Sequence, residues 1–168
     1  MSLTMHQALF PYALRILNAM SAILDKAAAH CEARKIDTAA LLGYKLAPDM
    51  FDLKRQIQIV TDQAKGMASR LAGVEIPSYA DTETTIEELK ARIAKTVDYL
   101  GSFTEDQFAG SEDRQIVLAM RSGELKFNGR DYAFGFFMPN FYFHAATAYD
   151  ILRHAGIALG KRDFLGTA

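Results

Sequence analysis

His144 is the side chain whose type and position make it the first candidate for chemistry. It lies between Phe141 and Ala148 at steps of three and four residues, so the sequence places an imidazole on an apolar helix face. A buried imidazole without hydrogen-bond partners costs about 1–3 kcal/mol, and Asn140, four residues earlier, shares its face. The pattern predicts a polar pocket at Asn140 and His144. The alternative is a core histidine satisfied by its neighbours, which is the commoner case for a lone histidine.

Few other side chains could join His144 around a metal ion. Transition-metal sites usually take three or four ligands from His, Cys, Asp and Glu. His154 comes ten residues later, about 280° around the same helix, and His6 and His30 lie about 36 Å apart along the first predicted helix. No HxxxH, HExxH or CxxC motif occurs. We therefore expect no tightly bound metal and no cofactor, with a weakly held divalent metal as the alternative.

Size and composition exclude several classes of protein. The chain has 168 residues, of which 50% are apolar and 23% charged, so it can bury a core and is predicted to form a single domain over residues 1–168. The net charge of -1 and the lack of a basic stripe argue against nucleic-acid binding. No apolar stretch is long enough to cross a membrane. Cys31 is the single cysteine, which suits a reducing compartment, and we expect a cytoplasmic protein.

Long helices must position these side chains. The first is predicted over Leu3–Glu32, and Thr4 with Gln7 resembles a capping box at its start. A short helix is predicted over residues 38–42. The second long helix is predicted to open at Pro48 and to end at Gly73. Its apolar residues recur at alternating steps of three and four, which is a heptad seam: Met50, Leu53, Ile57, Val60, Ala64, Met67 and Leu71.

The third long helix is predicted to begin at Thr84 or Thr85. Each threonine precedes a glutamate by three residues, so two registers of the capping box are available. Glu88 and Arg92 are predicted to form an ion pair on the solvent face of this helix. The last long helix is predicted over Pro139–Leu159, and an irregular tail follows it.

A short β-structure is predicted between the third and the last long helix. Ile116, Val117 and Leu118 form a continuous β-branched and apolar run, and alternating apolar residues flank Asn128-Gly129 on both sides. Because Asn-Gly is the strongest short hairpin signal, the turn is predicted there, with a third strand as an open alternative. The predicted fold is therefore all-α, a four-helix bundle with a small β-hairpin inserted before the last helix.

The sequence from Pro139 to His144, followed by Leu152, Arg153 and Gly156, resembles sequences of the DinB-like superfamily. It is most similar to a bacterial branch known only as a domain of unknown function, as are residues 46–50, 70–73 and 160–161. The resemblance covers nearly the whole chain and implies a four-helix bundle with a long crossover, often dimeric. Many members of the superfamily bind a divalent metal through three histidines, one from the second helix and an HxxxH pair on the last. Some are thiol S-transferases or hydrolases.

Carried onto this chain, the resemblance implies a degenerate metal site. His144 matches the second histidine of the pair, and Asn140 stands where the first would be. The second long helix has no histidine, and Gln56, Gln58 or Asp62 lies in the region of the missing ligand. Two of three ligands are replaced, and an amide oxygen is a poor zinc or nickel ligand.

Three hypotheses for function follow. The first is a small-molecule-binding or structural homodimer with a pocket at Asn140, His144, Gln56, Gln58 and Asp62. The second is a metal-dependent hydrolase or thiol S-transferase-like enzyme using His144, or an enzyme in which His144 is a general base without metal. The third is an interaction module whose contact surface is the aromatic region around the hairpin.

Overall fold

The computed structural model describes residues 3–120 and 123–167, and most of them are helical. Within these residues, no helix is both long enough and apolar enough to span a bilayer. The α-helices in chain order are Met5–Arg34 (α1), Thr38–Leu42 (α2), Leu53–Ala72 (α3), Ile86–Gly101 (α4), Gly129–Asp131 (α5), Met138–His154 (α6) and Lys161–Leu165 (α7). Two strands, Gln115–Met120 (β1) and Gly123–Asn128 (β2), precede α5. Short 3-10 turns cover Glu105–Phe108 and Ser111–Asp113, and a π-helical segment covers Tyr132–Phe137.

The predicted helical character and the hairpin before the last helices are confirmed. Helix α3 packs on α4 and α6, and α1 packs on α4 and α6, so the buried stripes of the long helices meet in one core. The prediction of four helices was too simple, because seven α-helices occur in the described residues. Four of them are long, with 30, 20, 16 and 17 residues, and the other three have five residues or fewer.

Helix α1 begins as predicted. The Thr4 side chain accepts a hydrogen bond from the Gln7 backbone N–H at 3.2 Å, and the Gln7 side chain reaches back to the Thr4 backbone. Pro11 lies inside the helix on its exposed side and does not delay the start. Near the other end, Cys31 is 2% exposed. Burial, followed by the negative charge of Asp37, raises the pKa of its thiol.

The predicted start of α3 at Pro48 was wrong. Pro48 lies in a turn, and α3 begins at Leu53 after an Asp52 N-cap, whose side chain accepts from the Arg55 backbone N–H at 2.8 Å. The four N-terminal N–H groups of a helix need acceptors, and an aspartate cap outcompetes a proline that merely tolerates the position. Gly73 ends the helix as predicted, with a φ of 72°.

Helix α4 begins after Thr85, and one carboxylate serves both predicted registers. The Glu88 side chain accepts from the backbone N–H groups of Thr84 and Thr85, at 2.6 and 3.1 Å. The predicted solvent-face pair of Glu88 with Arg92 was wrong, because Arg92 is only 4% exposed and faces the core side of the helix. Its partners are carboxylates of other segments, which a spacing argument along one helix cannot reveal.

The hairpin turn was predicted at the wrong dipeptide. Strands β1 and β2 pair antiparallel from Gln115 with Asn128 to Met120 with Gly123, so the connection falls on residues 121–122, outside the described part of the chain. The Asn128 side chain instead accepts from the Asp131 backbone N–H at 2.8 Å and caps α5. Asparagine suits both roles equally, so the local sequence did not distinguish them. The sheet formed by the described residues has two strands and no third.

Gly129 is required by a close backbone approach. A Cβ built on it would lie 1.8 Å from the Ser111 carbonyl oxygen. The glycine therefore lets the 3-10 turn at Ser111–Asp113 lie directly against the start of the last helical run.

The last helical run begins earlier and ends sooner than predicted. Helix α5, the π-helical segment and α6 follow one another without a break, and α6 ends at His154, with Gly156 at a φ of 89°. The tail is not irregular as predicted, because α7 forms there and packs on α1. The Lys26 ammonium donates to the Asp163 carboxylate across this contact.

Candidate functional site

Helices α3 and α6 bring together two of the predicted site residues. Gln56 on α3 is 1% exposed, and its Oε1 lies 2.7 Å from Nδ1 of His144 on α6. The two residues are 88 positions apart in sequence. His144 is partly buried, so the expectation of an imidazole that needs an internal partner fits this contact.

The Gln56 amide is itself held from outside the helix. Its Nε2 donates to the Phe51 backbone carbonyl at 3.1 Å, and Phe51 lies in the loop before α3. The loop is tied down by a bridge of Lys45 with Asp52 and by the Leu53 N–H, which donates to Tyr44 at 2.8 Å. Both ends of the buried amide are therefore occupied.

His144 is held in its neutral form near pH 7. Burial lowers the pKa of the imidazole, and the positive charge of Arg55 lowers it further. Nδ1 is bonded to Gln56, whereas Nε2 has no hydrogen-bond partner among the described residues. In the described chain, Ser111 Oγ is the only side-chain polar atom that is fully buried and lacks a hydrogen-bond partner. Nε2 of His144 also lacks a partner, so it is not fully buried.

Asn140 lies near His144 along α6, but its amide makes a different contact. Its Nδ2 donates to the Phe136 carbonyl at 2.7 Å. Phe136 belongs to the π-helical segment, and Pro139, which has no N–H, is the second residue of α6, just after that segment. The Asn140 side chain is therefore tied to the backbone of the segment that precedes α6.

Gln58 and Asp62 belong to a second polar cluster, centred on Arg92. The Arg92 guanidinium donates to Asp62 at 2.8 Å and to Glu83 at 2.9 Å, and Gln58 donates to Glu83 at 2.8 Å. Asp62 is further paired with Lys65 at 2.7 Å. The structure therefore brings Gln56 to His144 and places Gln58 and Asp62 among charged partners of their own.

The Arg92 cluster fastens residues 73–85, the connection between α3 and α4, onto the bundle. Arg92 also donates to the Ala80 carbonyl at 3.0 Å and pairs with Asp81 at 3.1 Å. Burial alone would raise the pKa of Glu83, but the hydrogen bonds from Arg92 and Gln58 outweigh it and hold that pKa below its ordinary value. No sequence motif signalled this cluster, since its members come from three separate segments.

The residues around His144 do not fit the three-histidine metal centre that the resemblance implies. The ring nitrogen facing α3 meets an amide oxygen, and Asn140 points its donor at a backbone carbonyl. Within residues 3–120 and 123–167, no three His, Cys, Asp or Glu side chains lie close enough together to hold a metal ion. The donor set suits hydrogen bonding better than coordination.

Aromatic side chains near the site divide into buried and exposed groups. Phe137 and Phe141 are 2% and 1% exposed and belong to the core. Phe143 is 55% exposed, and its ring lies 5.2 Å from that of His144 in an edge-on arrangement. Phe51, whose carbonyl holds Gln56, is 56% exposed. Exposed aromatic surface thus lies beside the imidazole.

Comparisons with known proteins agree on the family. The family described as Domain of unknown function (DUF1993) matches residues 5–165. A crystal structure of a DinB family member protein from Shewanella denitrificans is similar to this chain, with 40% sequence identity and a TM-score of 0.91. The similarity covers 97% of this chain and 92% of that one. No curated protein is similar enough to count as a match.

Proposed function

We propose that this chain, which belongs to the family described as Domain of unknown function (DUF1993), is a binding protein without a metal. It would take a small molecule beside His144. The four longest helices would form a bundle of the DinB type, and the protein would act as a homodimer in the bacterial cytoplasm. The DinB family structure with 40% identity supports the bundle. The dimer and the cytoplasmic location rest on the sequence resemblance and composition.

One observation carries this proposal: the 2.7 Å contact between His144 Nδ1 and Gln56 Oε1. Gln56, one of the three α3 residues in the region where the resemblance implies a metal ligand, is buried and satisfies one ring nitrogen. Nε2 has no hydrogen-bond partner within residues 3–120 and 123–167, is not fully buried, and lies beside the exposed Phe143 ring. Such a mix of apolar surface with one placed polar atom is typical of small-molecule sites.

The second candidate function is an enzyme. A neutral imidazole with a free nitrogen could act as a general base, because its lowered pKa leaves Nε2 unprotonated at neutral pH. A metal-dependent hydrolase or thiol S-transferase is less well supported, since the donors around His144 do not fit a metal. The binding proposal is preferred because, among the described residues, the two side chains that the enzyme hypothesis would use beside His144 are engaged elsewhere: Asn140 with a backbone carbonyl and Asp62 with Arg92.

A metal titration tests the proposal directly. Isothermal titration of the purified chain with zinc and with nickel is expected to show no sub-micromolar site. His144→Ala tests the imidazole, and His154→Ala, on the exposed part of the same helix, is the matched control. Sub-micromolar binding at one site per chain that His144→Ala abolishes and His154→Ala leaves intact would refute a metal-free site.

The homodimer is tested separately by sedimentation at micromolar concentration. The expected mass is twice the 18.6 kDa of one chain. A single species at the mass of one chain would remove the dimer from the proposal and leave the binding site to be judged by ligand experiments.

A further inference from the structure

We propose that the His144 site selects ligands by their hydrogen-bonding character. It takes a neutral molecule that donates a hydrogen bond through a hydroxyl or N–H group, and it rejects anions. This inference rests on the proposed function and adds the chemical class of the ligand. It follows from three contacts that fix where the single proton of the neutral imidazole lies.

The first contact fixes the orientation of the Gln56 amide. The Phe51 backbone carbonyl can only accept a hydrogen bond, so the amide group 3.1 Å from it must be the NH2 end. The oxygen end of the same amide then faces His144. Because Gln56 is 1% exposed, water does not offer the reversed amide an alternative set of partners.

The second contact fixes the tautomer of His144. An amide oxygen can only accept, so the ring nitrogen 2.7 Å away, Nδ1, must carry the proton. A neutral imidazole has one N–H, and its other nitrogen then carries a lone pair. Nε2 is therefore a hydrogen-bond acceptor. The Phe51 carbonyl fixes this role, because it orients the Gln56 amide, whose oxygen then fixes the proton on Nδ1.

The surroundings of Nε2 define the rest of the ligand. The Phe143 ring, 55% exposed and 5.2 Å from the imidazole, offers an apolar surface for a flat molecule. An anion would meet the lone pair of Nε2. Arg55, the cation whose field reaches the ring, is already bonded to Asp81 and Gln58. Phenols and indoles combine a flat apolar body with one donor, so they fit this site.

The tautomer is measurable without a ligand. Long-range correlation of ring protons and nitrogens by NMR at pH 8 is expected to show the Nδ1–H form for His144. Gln56→Leu removes the acceptor and is expected to mix the two tautomers. Gln58→Leu is the matched control, since Gln58 is also a buried glutamine of α3, with 2% exposure, but it bonds to Glu83 and Arg55 and not to the imidazole. A dominant Nε2–H form in the unmodified chain would overturn the inference.

Ligand polarity is tested with three probes of similar shape. Phenol at millimolar concentration is expected to shift the His144 Nε2 resonance, and anisole, which lacks the donor, to bind about tenfold more weakly. Benzoate is expected to leave the resonance unchanged. Equal binding of phenol and anisole, preference for benzoate, or no binding of phenol would each overturn the inference.

The same probes separate this inference from the proposed function. If anisole, benzoate or another small molecule binds at His144 while phenol has no advantage, the binding site stands and its polarity is wrong. If no molecule of a fragment collection perturbs the His144 resonances, the proposed function itself fails.

Discussion

Replacement of Arg92 with methionine is expected to destabilise the protein strongly. The Arg92 side chain is 2% exposed and faces three carboxylates with side-chain exposures of 34% for Asp62, 40% for Asp81 and 11% for Glu83. Methionine replaces the apolar stem of arginine, is shorter, and removes the charged guanidinium. The cost then depends on which carboxylate is left buried without a cation.

The structure indicates that most of the lost stability comes from Glu83, the most buried of the three carboxylates. Asp62 keeps its ion pair with Lys65, and Asp81 keeps its ion pair with Arg55. Among the side chains of the described residues, Glu83 keeps only Gln58 as a hydrogen-bond donor. Removing one partner of a buried ion pair costs about 3–5 kcal/mol, and we take the lower end, about 3 kcal/mol, because the other two carboxylates are a third or more exposed. For a chain of this size the melting temperature should fall by about 6–12 °C.

Thermal and urea unfolding of three variants would measure this cost. In the double variant Arg92→Met with Glu83→Gln, the stranded charge is gone, and about half of the lost stability should return. Lys95→Met is the control on the same helix, where an exposed lysine lies 4.1 Å from the Tyr79 ring, and a loss below about 1 kcal/mol is expected. A loss below about 1 kcal/mol for Arg92→Met, or no rescue by Glu83→Gln, would show that the cluster is not a buried ion network.

Two further predictions concern backbone contact and acidity. Gly129→Ala should lower the free energy of unfolding in urea by about 3 kcal/mol or more, because the new Cβ would lie 1.8 Å from the Ser111 carbonyl oxygen. Gly135 has open space around it, so Gly135→Ala should be neutral or stabilising. Similar effects of the two substitutions would contradict the close approach at Gly129. Acidification should destabilise the fold through His144. Burial lowers the pKa of the imidazole in the folded protein, so the unfolded chain binds the proton more tightly. The stability present above about pH 6.5 is therefore lost as the pH falls through the folded pKa. The free energy of unfolding of His144→Ala should vary less between pH 7 and 5, and an equal slope in both proteins would refute this origin.

Much of the helical framework could be predicted because its signals are local. The capping box at Thr4 and the helix stop at Gly73 each involve residues within one turn, and both are present in the structure. The misplaced features involve competition between two local roles. Asn128 satisfies a hairpin turn and a helix cap equally well, and only the register of β1 against β2 decides between them.

The candidate site was harder to predict because it depends on packing between distant segments. The apolar spacing singled out His144, and the search for a missing ligand named Gln56, which is its contact in the structure. The same search named Gln58 and Asp62 with equal weight, since helix periodicity does not say which residue faces α6. Arg92 was assigned a neighbour on its own helix because its true carboxylate partners lie up to 30 residues away.

The single cysteine has a practical consequence for spectroscopy of this protein. Cys31 is 2% exposed, and its raised pKa keeps the thiol protonated, which makes it a poor nucleophile toward maleimides and spin labels. A new cysteine on an exposed position, such as Lys126 of β2, would therefore be labelled selectively in the native background. Distances between a label there and its counterpart in a second copy could then be read without first replacing Cys31.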